Sequence, residues 1–229
     1  LSMTDFLKSL ATSSLIAVLS FSATQAEDFT PTRELRQQVW EYPMPAFSRE
    51  AYDGAVEQLF RTYEANAGRT LAPGELGKVG LKVYTESGPG LATPLNLTRA
   101  VMHALQARGF AAADILIVDQ VADEMRAAGY LPRSLLAEPI FEGAPVLALD
   151  SDEFYDPKWF YESNLPSREK LVQAMNNARL RWETDPDERK SFLAAPLIDG
   201  VDFWINLPMA ADNNAIGVSA SLANASLWA

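Results

Sequence analysis

The segment from Val79 to Gly129 constrains the fold more than any other. Val79-Gly80-Leu81-Lys82-Val83-Tyr84 reads as a strand and leads into the loop Glu86-Ser87-Gly88-Pro89-Gly90. A helix is expected from Thr93, with Pro94 in its first turn and Leu97, Val101 and Leu105 along it, stopping at Gly109. Asp114-Ile115-Leu116-Ile117-Val118 follows, apolar at every position after the aspartate rather than every second one, as suits a strand covered on both faces. A further helix from Val121 to Ala128 closes at Gly129. Strand, helix, strand, helix in this order predicts a parallel sheet whose crossovers carry the helices.

Upstream, Tyr52, Ala55, Val56, Leu59, Phe60 and Tyr63 recur at the spacing of one buried helical face, so a helix is expected from about Ser48 to Asn66. Ser48 can cap its free amides, Phe47 can staple onto Tyr52, and Gly68 can end it. Downstream, Val146 to Leu149 suits a strand and Asp150 to Asn164 an irregular excursion. A polar helix over Ser167 to Trp182 and a short one over Asp187 to Leu193 are expected next, then a strand over Val201 to Leu207. The small residues of Gly217 to Ala229 suit a closely packed helix or a strand-to-helix turn. The fold class expected is α/β, a mostly parallel sheet with flanking helices in Rossmann-like layering. It forms a single domain over residues 48–229, after an irregular extension over 27–47 that contains Pro31, Pro43 and Pro45.

Residues 1–26 read as an export signal. Lys8 precedes an apolar stretch from Leu10 to Phe21, and Ala23-Thr24-Gln25-Ala26 offers a cleavage site before Glu27. The stretch is short for a bilayer span, so no stable membrane span is expected once the signal is removed. Ser2 to Lys8 is twin-arginine-like but has Met3 and Thr4 in place of the arginine pair, which leaves the general secretory route open. Export to the periplasm is expected of a chain with such a signal, and Leu1 in place of a starting methionine is read as the mark of a fragment or of an alternative start codon.

A net charge of −11 with no basic run argues against nucleic acid or an anionic membrane surface as partner, since both require a basic patch. With no cysteine, disulfides, thiolate zinc sites, a cysteine nucleophile and an iron–sulfur cluster are all excluded. One histidine rules out a site made of several imidazoles, and His103 reads as a surface or boundary residue.

Strand, glycine loop and helix start, from Lys82 through Ser87, Gly88 and Gly90 to Thr93, can present backbone amides to an anion. The loop matches neither the dinucleotide nor the P-loop pattern, and tight-turn geometry also accounts for its glycines. Asp119, and Asp212-Asn213-Asn214 after the late strand, are expected near the carboxyl ends of parallel strands, where open α/β sheets bind ligands. Such oxygens can hold a hard cation or orient a polar substrate, but they also suit loops and helix caps. The acidic run Asp150, Asp152, Glu153 and Asp156 lacks the glycine and terminal glutamate of a calcium loop and reads as solvated. Ser167-Arg168-Glu169-Lys170 matches the S-x-x-K pattern of penicillin-recognising enzymes, but no K-T-G or K-S-G follows and Ser167 is explained as a cap.

Three segments together, Pro73-Gly74 to Lys82, Gly88 to Pro94 with the helix and strand that run to Asp119, and Asp202 to Trp228, resemble the domain of unknown function 362 family, whose members are often exported or associated with ferredoxin-like modules. Lys82 matches a lysine at the end of the family's first strand; Asn206, Pro208, Gly217, Val218 and Asn224 match its late stretch. Tyr84, Ala211, Asn213 and Ala223 stand where the family has asparagine, lysine, histidine and a second lysine. The resemblance implies the fold and export, not a reaction, and the absence of cysteine removes the iron–sulfur association. The function expected is binding of a small polar or anionic ligand by Lys82, Ser87, Gly88, Gly90, Thr93, Asp119, Asn206, Asp212, Asn213 and Asn224. The alternatives are an interaction module with a periplasmic protein partner and a degenerate family site, and a divalent-metal-assisted hydrolase using Asp119 and Asp212. Neither a cofactor nor a reaction is legible.

Overall fold

A computed structural model describes residues 38–150, 152–162, 190–213 and 217–226. Among the described residues the helices and strands lie within the unit Val39–Ala229. The first helix, α1 (Arg49–Ala67), begins where expected: Ser48 Oγ accepts from the Ala51 amide at 3.3 Å, and Gly68 closes the helix in the left-handed conformation. The Phe47 ring packs on Tyr52 with centroids 6.4 Å apart. Before α1, Met44 packs against the core and Trp40 meets Tyr63 edge-on.

Strand β1 (Val79–Lys82), helix α2 (Leu95–Gln106), strand β2 (Ile115–Asp119), helix α3 (Ala122–Ala128) and strand β4 (Ala144–Ala148) follow, with the two-residue strand β3 (Ile140–Phe141) just ahead of β4. Strand β7 (Phe203–Asn206) completes a five-stranded sheet of order β3-β4-β2-β1-β7. Strands β4, β2, β1 and β7 are parallel, and β3 is antiparallel at one edge. The mostly parallel α/β sheet is therefore as the apolar runs predict. Two boundaries differ: Pro94 caps α2 from outside rather than sitting in its first turn, and α2 stops at Gln106, before the turn that contains Gly109.

Alternation along the strands divides the interior in two. Val79, Leu81, Ile115, Ile117, Phe203 and Ile205 face Tyr52 and Val56 of α1, Val101 and Leu105 of α2, and Met125 of α3. Burying each such aliphatic side chain is worth about 1.5–3 kcal/mol, so this layer is the main source of cohesion. The other face is smaller: Leu116, Val118, Leu147 and Trp204 pack with Leu149, Phe154, Tyr155, Ala194 and Leu197. Those partners belong to β5 (Tyr155–Glu162), β6 (Lys190–Ala194), α4 (Pro196–Asp199) and the turn before β5, so among the described residues an antiparallel ribbon, not a long helix, covers this face.

Strand β5 replaces the irregular excursion expected over Asp150 to Asn164, and β6 replaces the end of the short helix expected over Asp187 to Leu193. Cross-strand pairing of Phe160 with Phe192 and of Glu162 with Lys190 outweighs the weak local preferences of both segments. The helix expected over Ser167 to Trp182, with its S-x-x-K pattern, lies outside the described residues. Beyond β7 the chain makes a short antiparallel pair, β8 (Ala211–Asn213) and β9 (Gly217–Ser219), and then the helix α5 (Ser221–Ser226), a strand-to-helix turn as its composition suggests.

Candidate functional site

The parallel strands deliver three polar residues to one edge of the sheet. Lys82, Asp119 and Asn206 are the last residues of β1, β2 and β7, and the register pairs Lys82 with Asn206 across β1 and β7. From β1 the chain builds outward through β2 and β4, then returns to place β7 on the opposite flank of β1. The edge between the carboxyl ends of β1 and β7 is therefore a topological switch point, the kind of place where open α/β sheets bind ligands.

Lys82 is buried, and its ammonium donates to Asp119 Oδ1 at 2.5 Å, to the Val83 carbonyl at 2.8 Å and to Asn224 Oδ1 at 3.0 Å. Asp119 Oδ2 accepts from Thr85 Oγ1 at 2.6 Å, and Oδ1 also accepts from the Gln120 amide at 2.8 Å. Asn224, carried by α5, donates from Nδ2 to Asn206 Oδ1 at 2.7 Å, and Asn206 in turn donates to the Ser221 carbonyl at 2.8 Å. Lys82, Thr85, Asp119 and Asn224 are each no more than 6% exposed. An ion pair this deep is retained only when hydrogen bonds answer the desolvation of both charges, and the flanking threonine, asparagine and backbone groups do so.

The surroundings are acidic. Glu124, on α3, has its carboxyl pushed above the usual range, first by partial burial and then by the charges of Asp119 and Glu86. The buried Lys82 ammonium is matched by Asp119, and the carboxylates of Glu124 and Glu86 add negative potential. A neutral polar ligand suits such a place better than an anion.

Of the ten residues expected to form a site, Lys82, Asp119, Asn206 and Asn224 come together. Thr93 lies close by as a brace: its hydroxyl donates to the Leu207 carbonyl at 2.6 Å and accepts from the Tyr84 amide at 2.9 Å, tying the loop after β1 to the end of β7. The glycine loop is occupied by its own turns. The Gly88 amide donates to the Thr85 carbonyl, Leu91 to Gly88 and Thr93 to Tyr84, while Ser87 Oγ meets the Tyr84 hydroxyl at 2.5 Å. Gly88, at φ +83°, supplies the left-handed conformation the turn demands. Gly90 belongs to the same turn and has open space around its α-carbon. Asp212 is exposed on β8, a strand that ends at Asn213, and among the described residues no hydrogen bond joins Asp212 to the Lys82 cluster. Asn214 lies outside the described residues.

Thr85 is the member of the cluster that sequence reasoning missed. It stands just past the strand, where a threonine reads as ordinary loop chemistry. His103 is exposed on α2 and pairs with Asp53 at 3.3 Å, as a surface residue does. Asp150 accepts from the Ala122 amide at 2.8 Å, capping α3 from a distant loop. Among the described residues no group of three histidine, aspartate or glutamate side chains is placed to hold a metal ion. A groove of about 370 Å³ at the end of β4, lined by Arg126, Pro132, Ala148, Asp150 and Phe154 among others, includes no member of the Lys82 cluster. No helix among the described residues is long and apolar enough to cross a membrane.

No family model, curated protein or solved structure matches the chain.

Proposed function

We propose that this chain is an exported binding protein for a small polar ligand, received at the switch-point edge between β1 and β7. One observation carries the reading: the ends of β1, β2 and β7 bring Lys82, Asp119 and Asn206 to one edge, where Thr85 and Asn224 complete a buried polar cluster. A buried ion pair is a poor stabilising device compared with apolar packing of the same volume, so its presence is better explained by use than by stability. The sheet is read as Rossmann-like, with the ribbon of β5 and β6 in place of one helical layer, and the resemblance to the domain of unknown function 362 family rests on the residues quoted for it. Residues 1–26 are read as the signal that delivers the chain to the periplasm.

The test is a thermal-shift screen of polar metabolites against the wild-type chain and against Asp119→Asn. A compound that raises the melting temperature of the first by several degrees and of the second far less supports the reading. A compound that stabilises both equally binds elsewhere. The mass of the chain recovered from the periplasm tests export, with cleavage after Ala26 as the expected result.

A second reading is favoured by a separate observation. Trp159, Phe160, Tyr161 and Leu193 of the ribbon are all exposed, which suits a protein contact surface. An interaction module predicts a co-purifying periplasmic protein that is lost on Tyr161→Glu and kept on Asp119→Asn. The metal-assisted hydrolase is disfavoured because the Lys82 ammonium already stands where a cation would meet the Asp119 carboxylate.

A further inference from the structure

Between α3 and β3 the chain makes a turn that holds apolar side chains out in water. Every residue from Arg133 to Ile140 is exposed, Leu135 at 81%, Leu136 at 98% and Ile140 at 46%. The turn is nonetheless fixed by its own hydrogen bonds. The Ala137 amide donates to the Ser134 carbonyl at 3.2 Å, the Leu136 amide to Ser134 Oγ at 3.3 Å, and the Ile140 amide to the Glu138 carbonyl at 2.8 Å. Leu135 also forms part of the wall of the groove of about 370 Å³ at the end of β4, together with Leu131, Pro132, Val146 and Phe154. A protruding leucine and an apolar recess therefore stand side by side. Single exposed leucines are ordinary on a surface, whereas contiguous apolar surface beside a recess marks a contact site.

The order of the residues says which partner covers it. In Arg133-Ser134-Leu135-Leu136-Ala137-Glu138 the two leucines are centred between a cation and an anion. A two-fold axis through the tip of the turn runs the segments of two copies in opposite directions. It sets Leu135 of each copy against Leu136 of the other, and Arg133 of each against Glu138 of the other. Among the described residues neither Arg133 nor Glu138 makes a side-chain hydrogen bond or ion pair within its own chain. A contact that uses the same patch on both partners is the self-complementary kind that closes a symmetric dimer. Because Leu135 belongs to the groove wall, the leucine packed on it from the second copy enters the groove mouth.

We propose that this turn is the surface through which two copies of the chain form a reversible dimer, Leu136 of each seated against Leu135 and the groove of the other, with Arg133 and Glu138 pairing across both ends. The proposal goes beyond the two readings above and depends on neither, since it uses neither the Lys82 cluster nor the ribbon. One turn and one groove per copy make a contact at the small end of specific interfaces, so monomer and dimer exchange over an accessible concentration range.

Sedimentation velocity of the full chain between about 1 and 500 μM is expected to show monomer passing into dimer. Arg133→Glu places like charges at both ends of the contact, as does Glu138→Arg, and each is expected to weaken the dimer at least about tenfold. Mixed in equal amounts, the two variants regain opposite charges at both ends, and their heterodimer is expected to form within about threefold of the wild-type affinity. Lys158→Glu changes the net charge as much as Arg133→Glu does, at an exposed position away from the turn, and is expected to leave the dimer unchanged. Leu136→Ser is expected to leave monomer throughout. All these positions are exposed, so unfolding midpoints are expected to stay at the wild-type value.

A wild type that stays monomeric over the whole range overturns the proposal without recourse to any variant. A dimer that both charge reversals leave intact, or a mixture no better than its two components, overturns the pairing and with it the surface. A monomeric wild type that binds a different protein, and loses it on Leu136→Ser, assigns the turn to that protein and overturns the second copy as its occupant.

Discussion

Lys82 and Asp119 depend on each other more than on the rest of the fold. Replacing Lys82 by Met leaves Asp119 buried without its cation, and the expected loss is about 3–5 kcal/mol in chemical denaturation. Lys82→Met combined with Asp119→Leu is expected to recover most of that loss, because neither charge is then stranded; a double variant as unstable as the single one would contradict the pairing. Glu124 behaves in the opposite sense. Its folded-state carboxyl is raised by burial and by the charges of Asp119 and Glu86, so the folded chain holds that proton more tightly than the unfolded chain. Ionised Glu124 therefore costs stability at neutral pH, and the cost disappears as pH falls below the ordinary glutamate value of 4.5. Glu124→Gln is expected to raise the melting temperature at pH 7, with the gain fading toward pH 4.

Arg108, which follows α2, adds a polar fastening to α1 beside the apolar packing of the two helices. The guanidinium donates to both carboxylate oxygens of Glu64 at 2.7 and 2.8 Å, to Glu57 at 2.8 Å, and lies over the Phe60 ring. Both glutamates are held below their ordinary value, chiefly by the hydrogen bond from Arg108. Their contribution is present above 4.5 and is lost as pH falls through the lowered folded values. Arg108→Ala is expected to cost about 2–3 kcal/mol at pH 7 and much less near pH 3, read from urea unfolding at the two pH values. In β1, a Cβ at Gly80 would lie 2.2 Å from the Trp204 ring, so Gly80→Ala is expected to cost about 1–3 kcal/mol through overpacking, measured by the same unfolding assay.

The elements that were legible in the sequence are those whose pattern is local and strong. The apolar stripe and caps of α1, the buried run of β2 and the glycine stop after α3 each carry their own signal. Ribbon strand β5 did not, because Asp156-Pro157-Lys158 interrupts any apolar alternation and a proline suits only an edge strand. Strand β6 is defined by pairing with β5 rather than by its own residues. At the site, Lys82, Asp119 and Asn206 could be read because strand ends are predictable once a parallel sheet is inferred. Asn224 was legible only through the family resemblance, and Thr85 carried no signal at all. The glycine loop drew attention as a ligand cradle, yet Gly88, Leu91 and Thr93 direct their amides into turns.

Across the molecule, the two faces of the sheet differ in what covers them. The face under α1, α2 and α3 is apolar and extensive; the face under the ribbon is small, and from Pro157 to Glu162 β5 is exposed throughout. Hydrogen exchange is expected to be slowest in β1 and β2 and faster by several orders of magnitude in β5 and β6, which peptide-resolved mass spectrometry would register. Uniform protection across both layers would contradict this division.

The contact between Lys82 and Asn224 spans 142 residues of chain. Strands β1, β2 and β4 can be laid down in the order of synthesis, each beside its predecessor, but β7 and α5 must return to the starting strand afterwards. Until they do, a growing chain carries an incompletely shielded charge pair at its most central position, and closing so long a loop is slow. The charge pair at the ends of β1 and β2 can thus form well before its distant partner, and Asn224 joins it only after β7 and the segment beyond have folded back against β1.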